Sequence, residues 1–445
     1  MNWRKPTYLA YAALRGYRFP SLLRRYTREY EAGAGEQVTT VALLKLLRHC
    51  RKRVPYYANL LSKIPDQRLA QEPRASLQNL PLLTKEIIRS NFNSLRSDDN
   101  AKRNCQVNTS GGSTGEPVQL IQDDEYRDAS AAVRLLSQRQ LGCEVGQPLV
   151  RLWGSERDLE AGTKSKKARF FNWLTNSMSL NAFHMTPSDM RTFIEVFNRV
   201  RPRLIVAYAQ AIYELAQFVE QNQIAVEPQR AVLSSAGTLY GFMRQKISKV
   251  FGCEVYNLYG SREVSDIAWE LPSLNGLWVP PWANFVEIVD DDGNSVPAGS
   301  EGNIVVTCLT NYAMPLLRYW IGDRGTLLPV NAACKGSQVL GHVSGRTVDV
   351  FRRSDRTLVD GEYFTHLLYF RPWVRKFQVV QKDHAHVLFK VVSANGKPPQ
   401  AELEEIAARS RLTMGGGCRV DFEFVDELPA PPGGKFRYTI SEVAA

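Results

Sequence analysis

The sequence predicts an α/β fold: a large, multilayered N-terminal domain with parallel strands, then a smaller α+β domain. Three observations carry this. The chain has 445 residues, more than one ordinary hydrophobic core organises, so two or three domains are expected. From residue 105 onward, short apolar strand segments alternate with helical ones, the pattern of a parallel sheet. Near 340–360 a Gly/Arg/Asp-rich stretch breaks the pattern, and a compact α+β segment follows. The boundaries drawn from this are 1–344 and 345–445, with 1–54 as a basic helical segment.

The first hundred residues read as helices. Residues 41–47 are apolar at helical spacing, and 85–89 open a helix behind Leu80-Pro81-Leu82-Leu83-Thr84, with Thr84 as its cap. Val107 and Asn108 lead into a Gly/Ser/Thr loop, and 118–121 follow as a strand. Residues 204–207 form a short buried strand before a helix at 211–221. The same alternation recurs at 231–233 and 254–256. The stretch 284–330 is strand-rich, with strands at 285–289 and 303–307 around a turn at 290–294. Beyond the break, strands are expected at 377–381, 386–392 and 419–425, with a helix at 400–412 and a Pro/Gly-rich end.

Composition excludes several classes. Hydrophobic residues make up 44% and aromatics 10%, enough apolar surface to exclude global disorder. No uncharged apolar run is long enough to cross a bilayer, and the basic start is not expected to be a cleaved leader. Cys50, Cys105, Cys143, Cys253, Cys308, Cys334 and Cys418 are scattered and form no CxxC pair. Neither a disulfide framework nor a structural zinc site is expected, and a reducing cytoplasm fits. Net charge is +11, and residues 1–54 hold twelve Lys/Arg against three Glu, so +9 of it lies there. That segment is either a solvated helical face over the large domain or a contact for an anionic membrane surface, which would make the protein peripheral. No nucleic-acid-binding signature accompanies it.

The stretch richest in chemistry is Asn108-Thr109-Ser110-Gly111-Gly112-Ser113-Thr114-Gly115-Glu116-Pro117. Glycines let backbone N–H groups curl around an anion, and hydroxyls add donors, so Thr109 to Gly115 can cradle phosphate. It is not a Walker loop, because no Gly-Lys-Ser/Thr follows. Alone, it also reads as a flexible turn.

Further segments follow in order: Tyr259-Gly260-Ser261-Arg262-Glu263, Arg318-Tyr319-Trp320-Ile321-Gly322-Asp323, Gly345-Arg346 and Gly433-Gly434-Lys435-Phe436-Arg437. With Leu80-Pro81-Leu82-Leu83-Thr84-Lys85 and Ser234-Ser235-Ala236-Gly237-Thr238, this series resembles the adenylate-forming superfamily of acyl-CoA synthetases. Within it, the chain looks most like the phenylacetate–CoA ligase branch and its CapK-type members, over roughly residues 54–440.

The resemblance implies a fold with a mobile lid and an AMP-forming ligase that uses ATP and Mg²⁺. Its substrate would be a small carboxylic acid, converted to an acyl-adenylate. The acyl acceptor would be coenzyme A, or alternatively an amine such as an amino sugar in surface-polysaccharide synthesis. A non-catalytic nucleotide-binding relative docked on a membrane assembly is the third reading. The resemblance assigns the loop 109–115, Ser235, Ala236, Gly237, Asn257, Tyr259, Gly260 and Ser261 to the nucleotide. Asp323 and Arg346 would hold the ribose, Glu263 the Mg²⁺, and Lys435 would close on the acyl phosphate. Each has a plainer alternative: Asp323 in a Gly-Asp turn, Arg346 in a surface loop, Glu263 as a helix N-terminal acid, Lys435 as a solvated tail residue. His184 and Tyr208 are candidates for the acyl site, with an ordinary core or surface role as the alternative for His184. Two departures stand out. Glu116 follows Gly115 where many relatives carry Lys. Thr347 and Val348 also occupy the usual hinge-acid position, with Asp349 one residue later.

Overall fold

The computed structural model describes residues 2–109, 118–153, 166–182, 185–345, 350–355, 357–368, 371–394, 398–428 and 438–443. Helices α1 (Arg4–Leu14), α2 (Phe19–Glu31), α3 (Gly35–Arg53), α4 (Pro55–Leu61), α5 (Asp66–Gln71), α6 (Pro73–Gln78) and α7 (Lys85–Ser90) open the chain. Strands β1 (Cys105–Thr109) and β2 (Gln119–Asp123), then α8 (Asp124–Gln140), follow. Next come β3 (Leu149–Trp153), α9 (Lys166–Thr175), β4 (Ser177–Asn181), α10 (Pro187–Val200), β5 (Leu204–Tyr208), α11 (Ala209–Gln221), β6 (Ala231–Ser235) and α12 (Gly241–Phe251). The strand-rich part holds β7 (Glu254–Ser261), β8 (Ser265–Glu270), β9 (Leu277–Trp278), β10 (Asn284–Val289), β11 (Glu301–Cys308), β12 (Tyr319–Leu327) and β13 (Val339–Gly345). The last part holds β14 (Val350–Arg352), β15 (Leu358–Asp360), α13 (Glu362–Leu368), β16 (Val374–Asp383), β17 (His386–Ser393), α14 (Gln400–Met414), β18 (Arg419–Phe424) and β19 (Thr439–Ser441).

The two expected sheet patterns are halves of one sheet. Its eleven strands run β10-β11-β12-β13-β9-β8-β7-β6-β5-β3-β4. Strands β3 to β7 pair in parallel, with helices crossing between them. From β7 outward every pairing is antiparallel. The switch has a local cause. A tight turn between Ser261 and Ser265 leaves no room for a crossover helix, so β8 must return beside β7. Ser265 takes the left-handed conformation, with φ 62°. Parallel strands β5 and β6 are buried along nearly their whole length and apolar up to Ser234, as helices on both faces require.

The N-terminal helices cover this sheet. Leu43, Leu46, Leu47 and Cys50 of α3 share one face and are fully buried. In α2, Phe19, Leu23 and Tyr26 point inward, and Tyr26 stacks on Trp282 with centroids 4.4 Å apart. The arginines interleaved with these aromatics, Arg18, Arg24, Arg25 and Arg28, therefore ride on a helix that packs against the body of the protein. As expected, Thr84 caps α7, its Oγ1 accepting from the Ile87 N–H at 3.3 Å.

The C-terminal part has its own core, including Phe351, Phe364, Phe377, Phe389 and Ile406. Its sheet runs β18-β17-β16-β19. The hairpin β14–β15, helix α13 and strand β19 were not expected from the sequence. All seven cysteines are free, and five of them are buried, in keeping with apolar packing. No described helix is long and apolar enough to cross a membrane.

Candidate active site

In an open sheet with helical crossovers, ligands bind beyond the carboxyl ends of the parallel strands. Here those ends bring together Tyr208, Ser235 and the stretch from Asn257 to Ser261. Tyr208 and Ser235 are direct partners across β5 and β6, and Asn257 pairs with Ser234 across β6 and β7. Ala236 turns sharply away after β6, with φ 56°. Tyr208 packs on Trp153, with ring centroids 4.3 Å apart.

Beside these ends, two segments meet crosswise. The Tyr259 hydroxyl donates to Asp323 Oδ2 at 2.7 Å. Four residues further along one segment, and four back along the other, the Tyr319 hydroxyl donates to Glu263 Oε1 at 3.4 Å. The contacts run in opposite order, as between antiparallel partners, although β7 and β12 lie four places apart in the sheet. The antiparallel half therefore folds back on itself until β12 faces β7. Glu263 stands in the β7–β8 turn, so the alternative of a helix N-terminal acid is corrected: the hairpin places it. Asp323 and Glu263 are both buried, yet each carboxylate has a hydroxyl donor, as a buried polar group requires.

Lys85 approaches the same carboxylate, with its Nζ 3.9 Å from Glu263 Oε1. A clamp at Arg318 positions it. Leu83 pairs with Tyr319, giving its N–H to the Arg318 carbonyl at 2.9 Å and accepting from the Trp320 N–H at 3.0 Å. The Arg318 guanidinium donates to the carbonyls of Gln78 at 3.0 Å, Leu80 at 2.7 Å and Gly293 at 2.8 Å. Its Nε lies 3.2 Å from Glu287 Oε1. Burial pushes the Glu287 carboxyl above its ordinary range, and the Arg318 charge opposes that. This buried pair fastens residues 78–84 to β12 and so sets Lys85 beside Glu263.

The hairpin β1–β2 carries the Gly-rich loop, and its base is tied to the same turn. Asn108 Nδ2 donates to Gln122 Oε1 at 3.1 Å, and Gln122 Nε2 donates to the Arg262 carbonyl at 3.2 Å. Thr109 ends β1, its N–H held by Asn108 Oδ1 at 2.8 Å. Ser110, Gly111, Gly112, Ser113, Thr114 and Gly115 lie outside the described residues, as do His184, Arg346 and Lys435. Glu116, Thr347, Val348 and Asp349 lie outside them too.

Several expected residues also have structural work. A Cβ at Gly260 would come 2.8 Å from the Ser265 carbonyl oxygen, so the hairpin demands glycine there. Ser261 Oγ accepts from the Val264 N–H at 3.4 Å and shapes the turn. The Asn257 N–H is held by Glu270 Oε2 at 2.8 Å. By contrast, Gly237 would meet only Ala209 Cβ, at 3.7 Å, so crowding alone does not explain it. Sequence reasoning missed Lys85, Tyr319, Gln122 and Trp153 as site residues. Lys85 and Tyr319 lay within motifs already singled out; Gln122 and Trp153 carried no signal. The described residues contain no cluster of three or more metal-binding side chains. A lone hard carboxylate such as Glu263 still fits Mg²⁺, which keeps waters and takes its other ligands from phosphate.

The comparisons with known proteins agree with this fold. The CapK C-terminal domain family matches residues 351–442. Protein CapK of Staphylococcus aureus is 26% identical over 377 residues, covering 83% of this chain and 81% of that protein. Phenylacetate-coenzyme A ligase of Thermus thermophilus is 24% identical over 327 residues, covering 69% of each. Among solved structures, 2-hydroxyisobutyryl-CoA ligase in complex with 2-HIB-AMP and CoA superposes with a TM-score of 0.60 at 16% identity. The match covers 92% of this chain and 90% of that one, and establishes the shared fold.

Proposed function

From its standing as a homologue of CapK and the phenylacetate–coenzyme A ligases, with the fold of an adenylate-forming ligase, we propose that this chain is an AMP-forming ligase. It activates a small carboxylic acid with ATP and passes the acyl group to coenzyme A. The observation that carries the reading is the crossed pair of contacts, Tyr259–Asp323 and Tyr319–Glu263, beside the base of the Gly-rich hairpin.

In the first half-reaction a carboxylate oxygen attacks the α-phosphorus of ATP. The bond to the β-phosphate oxygen breaks, and pyrophosphate leaves. Asp323 accepts from the ribose hydroxyls, with Tyr259 orienting its carboxylate and lying with Gly260 against the base. Ser235, Ala236, Gly237, Asn257 and Ser261 line the nucleotide at the strand ends, and Arg346 holds the ribose from the domain junction. The loop from Thr109 to Gly115 wraps the phosphates, whose charge Mg²⁺ offsets when bound. Glu263 would hold that ion, and Lys85 and Tyr319 fix the orientation of Glu263. Lys435 closes over the acyl phosphate, where a cation matches the developing charge. Tyr208 and His184 face the acid. In the second half-reaction a thiol attacks the acyl carbon and AMP departs.

We assign 1–344 to the nucleotide-binding body and 345–445 to a lid, with a cytoplasmic site of action that suits seven free cysteines. Pyrophosphate exchange over a panel of aryl, fatty and amino acids tests the activity. Acid-dependent exchange is expected with one class. ATP binding without exchange for any acid would favour the non-catalytic reading. Thioester formation against amide formation, with coenzyme A and amino sugars offered together, then decides the acceptor.

A further inference from the structure

Helices α1 and α9 pack against each other in opposite directions. Trp3 meets Trp173 with centroids 5.7 Å apart, Tyr8 meets Phe171 at 6.1 Å, and Tyr11 meets Phe170 at 6.0 Å. The inner sides are anchored, with Ala12 and Leu174 buried. The outer side is apolar and open to water. Trp3 is 50% exposed, Leu14 88%, Phe170 45% and Trp173 52%. Trp3, at the N-cap of α1, and the exposed Thr7, Ala10 and Leu14 of that helix recur at helical spacing, so they form one stripe. Large side chains this exposed, side by side, mark a surface that something covers.

Among the described residues, the charge on this face has one sign. Neither helix contains an aspartate or glutamate. Arg4 lies over both tryptophan rings, 5.3 Å from Trp3 and 5.8 Å from Trp173. Arg15 closes one end of α1, and Arg169 precedes Phe170 on α9; both are exposed. Lys5 is turned to Glu144, 2.8 Å away, and so balances an acid of the body. Tryptophans beside arginines, with no acid among the described residues of either helix, match the headgroup region of a bilayer. There the rings sit at the apolar boundary and the cations meet lipid phosphates. A second copy of the chain fits worse, because a twofold contact would set Arg4, Arg15 and Arg169 against a face of the same charge.

We propose that the face formed by Trp3, Leu14, Phe170 and Trp173, ringed by Arg4, Arg15 and Arg169, rests on an anionic lipid surface. The helices lie on the membrane and do not enter it, since α1 has 11 residues and α9 has 10. This inference is independent of the ligase reading. It also narrows the role of the basic segment 1–54: α2 and α3 cover the body, and only α1 faces the lipid, together with a helix far along the chain.

Co-sedimentation of the full chain with vesicles tests it. Vesicles of equal parts phosphatidylglycerol and phosphatidylcholine should pull the protein down at low salt, and added salt should release it. Vesicles of phosphatidylcholine alone should retain little. Trp3→Ala with Trp173→Ala should abolish the binding. Arg15→Gln with Arg169→Gln touches no packing contact described here and should weaken it about 25-fold, roughly fivefold per charge. Thermal melting should show that both variants remain folded. No binding at low salt overturns the proposal, as does equal binding to neutral vesicles. Self-association that disappears in the tryptophan variant, without vesicle binding, overturns it in favour of an interface between copies.

Discussion

Two buried arginine–glutamate pairs solve the same problem differently. Arg318 and Glu287 lie inside the large sheet, and the arginine also serves three backbone carbonyls. Arg409 of α14 and Glu214 of α11 join the C-terminal part to the parallel half of the sheet. Their closest approach is 3.5 Å, and Arg409 reaches one carbonyl outside its own helix, that of Ala182, at 3.3 Å. Glu214 Oε1 and Glu287 Oε1 both lack a hydrogen-bond partner among the described residues, so the contrast lies in what the two arginines serve. Well-satisfied buried charges hold one geometry, whereas under-satisfied ones can be given up at little cost. The first pair behaves as a fixed clamp that places Lys85 and Tyr319. The second has the character of a latch, which would suit the lid proposed for the C-terminal part.

The largest expected effect comes from breaking the clamp. Arg318→Ala should cost about 3–5 kcal/mol, since it strands Glu287 and three carbonyls. Thermal unfolding should show it as a large fall in Tm; a fall of a degree or two would place Arg318 outside any clamp.

Next in size is a loss of binding without a loss of fold. Asp323→Ala should weaken ATP by about 1.5–3 kcal/mol, the worth of a hydrogen bond to a charged group. Calorimetry would read this against an unchanged melting curve, and an unaltered Kd for ATP would remove Asp323 from the site.

The latch should respond less. Glu214→Leu with Arg409→Met exchanges its charges for apolar groups of similar bulk, and its stability should stay within about 1 kcal/mol of the parent or rise. The matching double change at 287 and 318 should remain strongly destabilising, because the carbonyls of Gln78, Leu80 and Gly293 lose their donor. Equal losses from both double variants would erase the distinction.

The smallest effect is in pH. Burial raises the Glu214 carboxyl above its ordinary range, with Arg409 opposing. The native chain therefore holds this proton to higher pH than the unfolded chain does. The contribution is complete below the ordinary glutamate value of about 4.3 and declines as pH rises through the raised native value. The Tm of the parent should thus fall relative to that of Glu214→Gln as pH rises through that window. A parent that gains on the variant there would reverse the sign of the shift.

Much of this was legible in the sequence because local patterns matched the final environment. Residues 204–207 of β5 and 231–233 of β6 are short apolar runs, and they became doubly covered parallel strands. Thr84 ahead of 85–89 announced its cap. The site was legible in part. Motif text singled out Tyr259, Glu263 and Asp323, but no local pattern could show that β12 folds back to set Tyr319 against Glu263. That contact depends on strands four places apart in a curled sheet. Gln122 was equally hidden, because it acts through a carbonyl some 140 residues away. The apolar face proposed to meet lipid was hidden for the same reason. Composition pointed to 1–54 as a basic segment, whereas this face joins α1 to α9, a pairing only the fold reveals.

The central claim is that the crossed contacts form a site for making an acyl-adenylate. Its most direct test omits coenzyme A and every amine, mixes the intact chain with ATP, Mg²⁺ and a panel of carboxylic acids, and looks for the acyl-AMP by mass spectrometry after quenching. One acid of the panel should appear as its AMP ester. With Lys435→Ala the ester should form about 10²–10³ times more slowly while ATP still binds, the usual loss when one charge contact leaves a closed site. ATP bound but recovered intact with every acid, or split to ADP, would contradict the account.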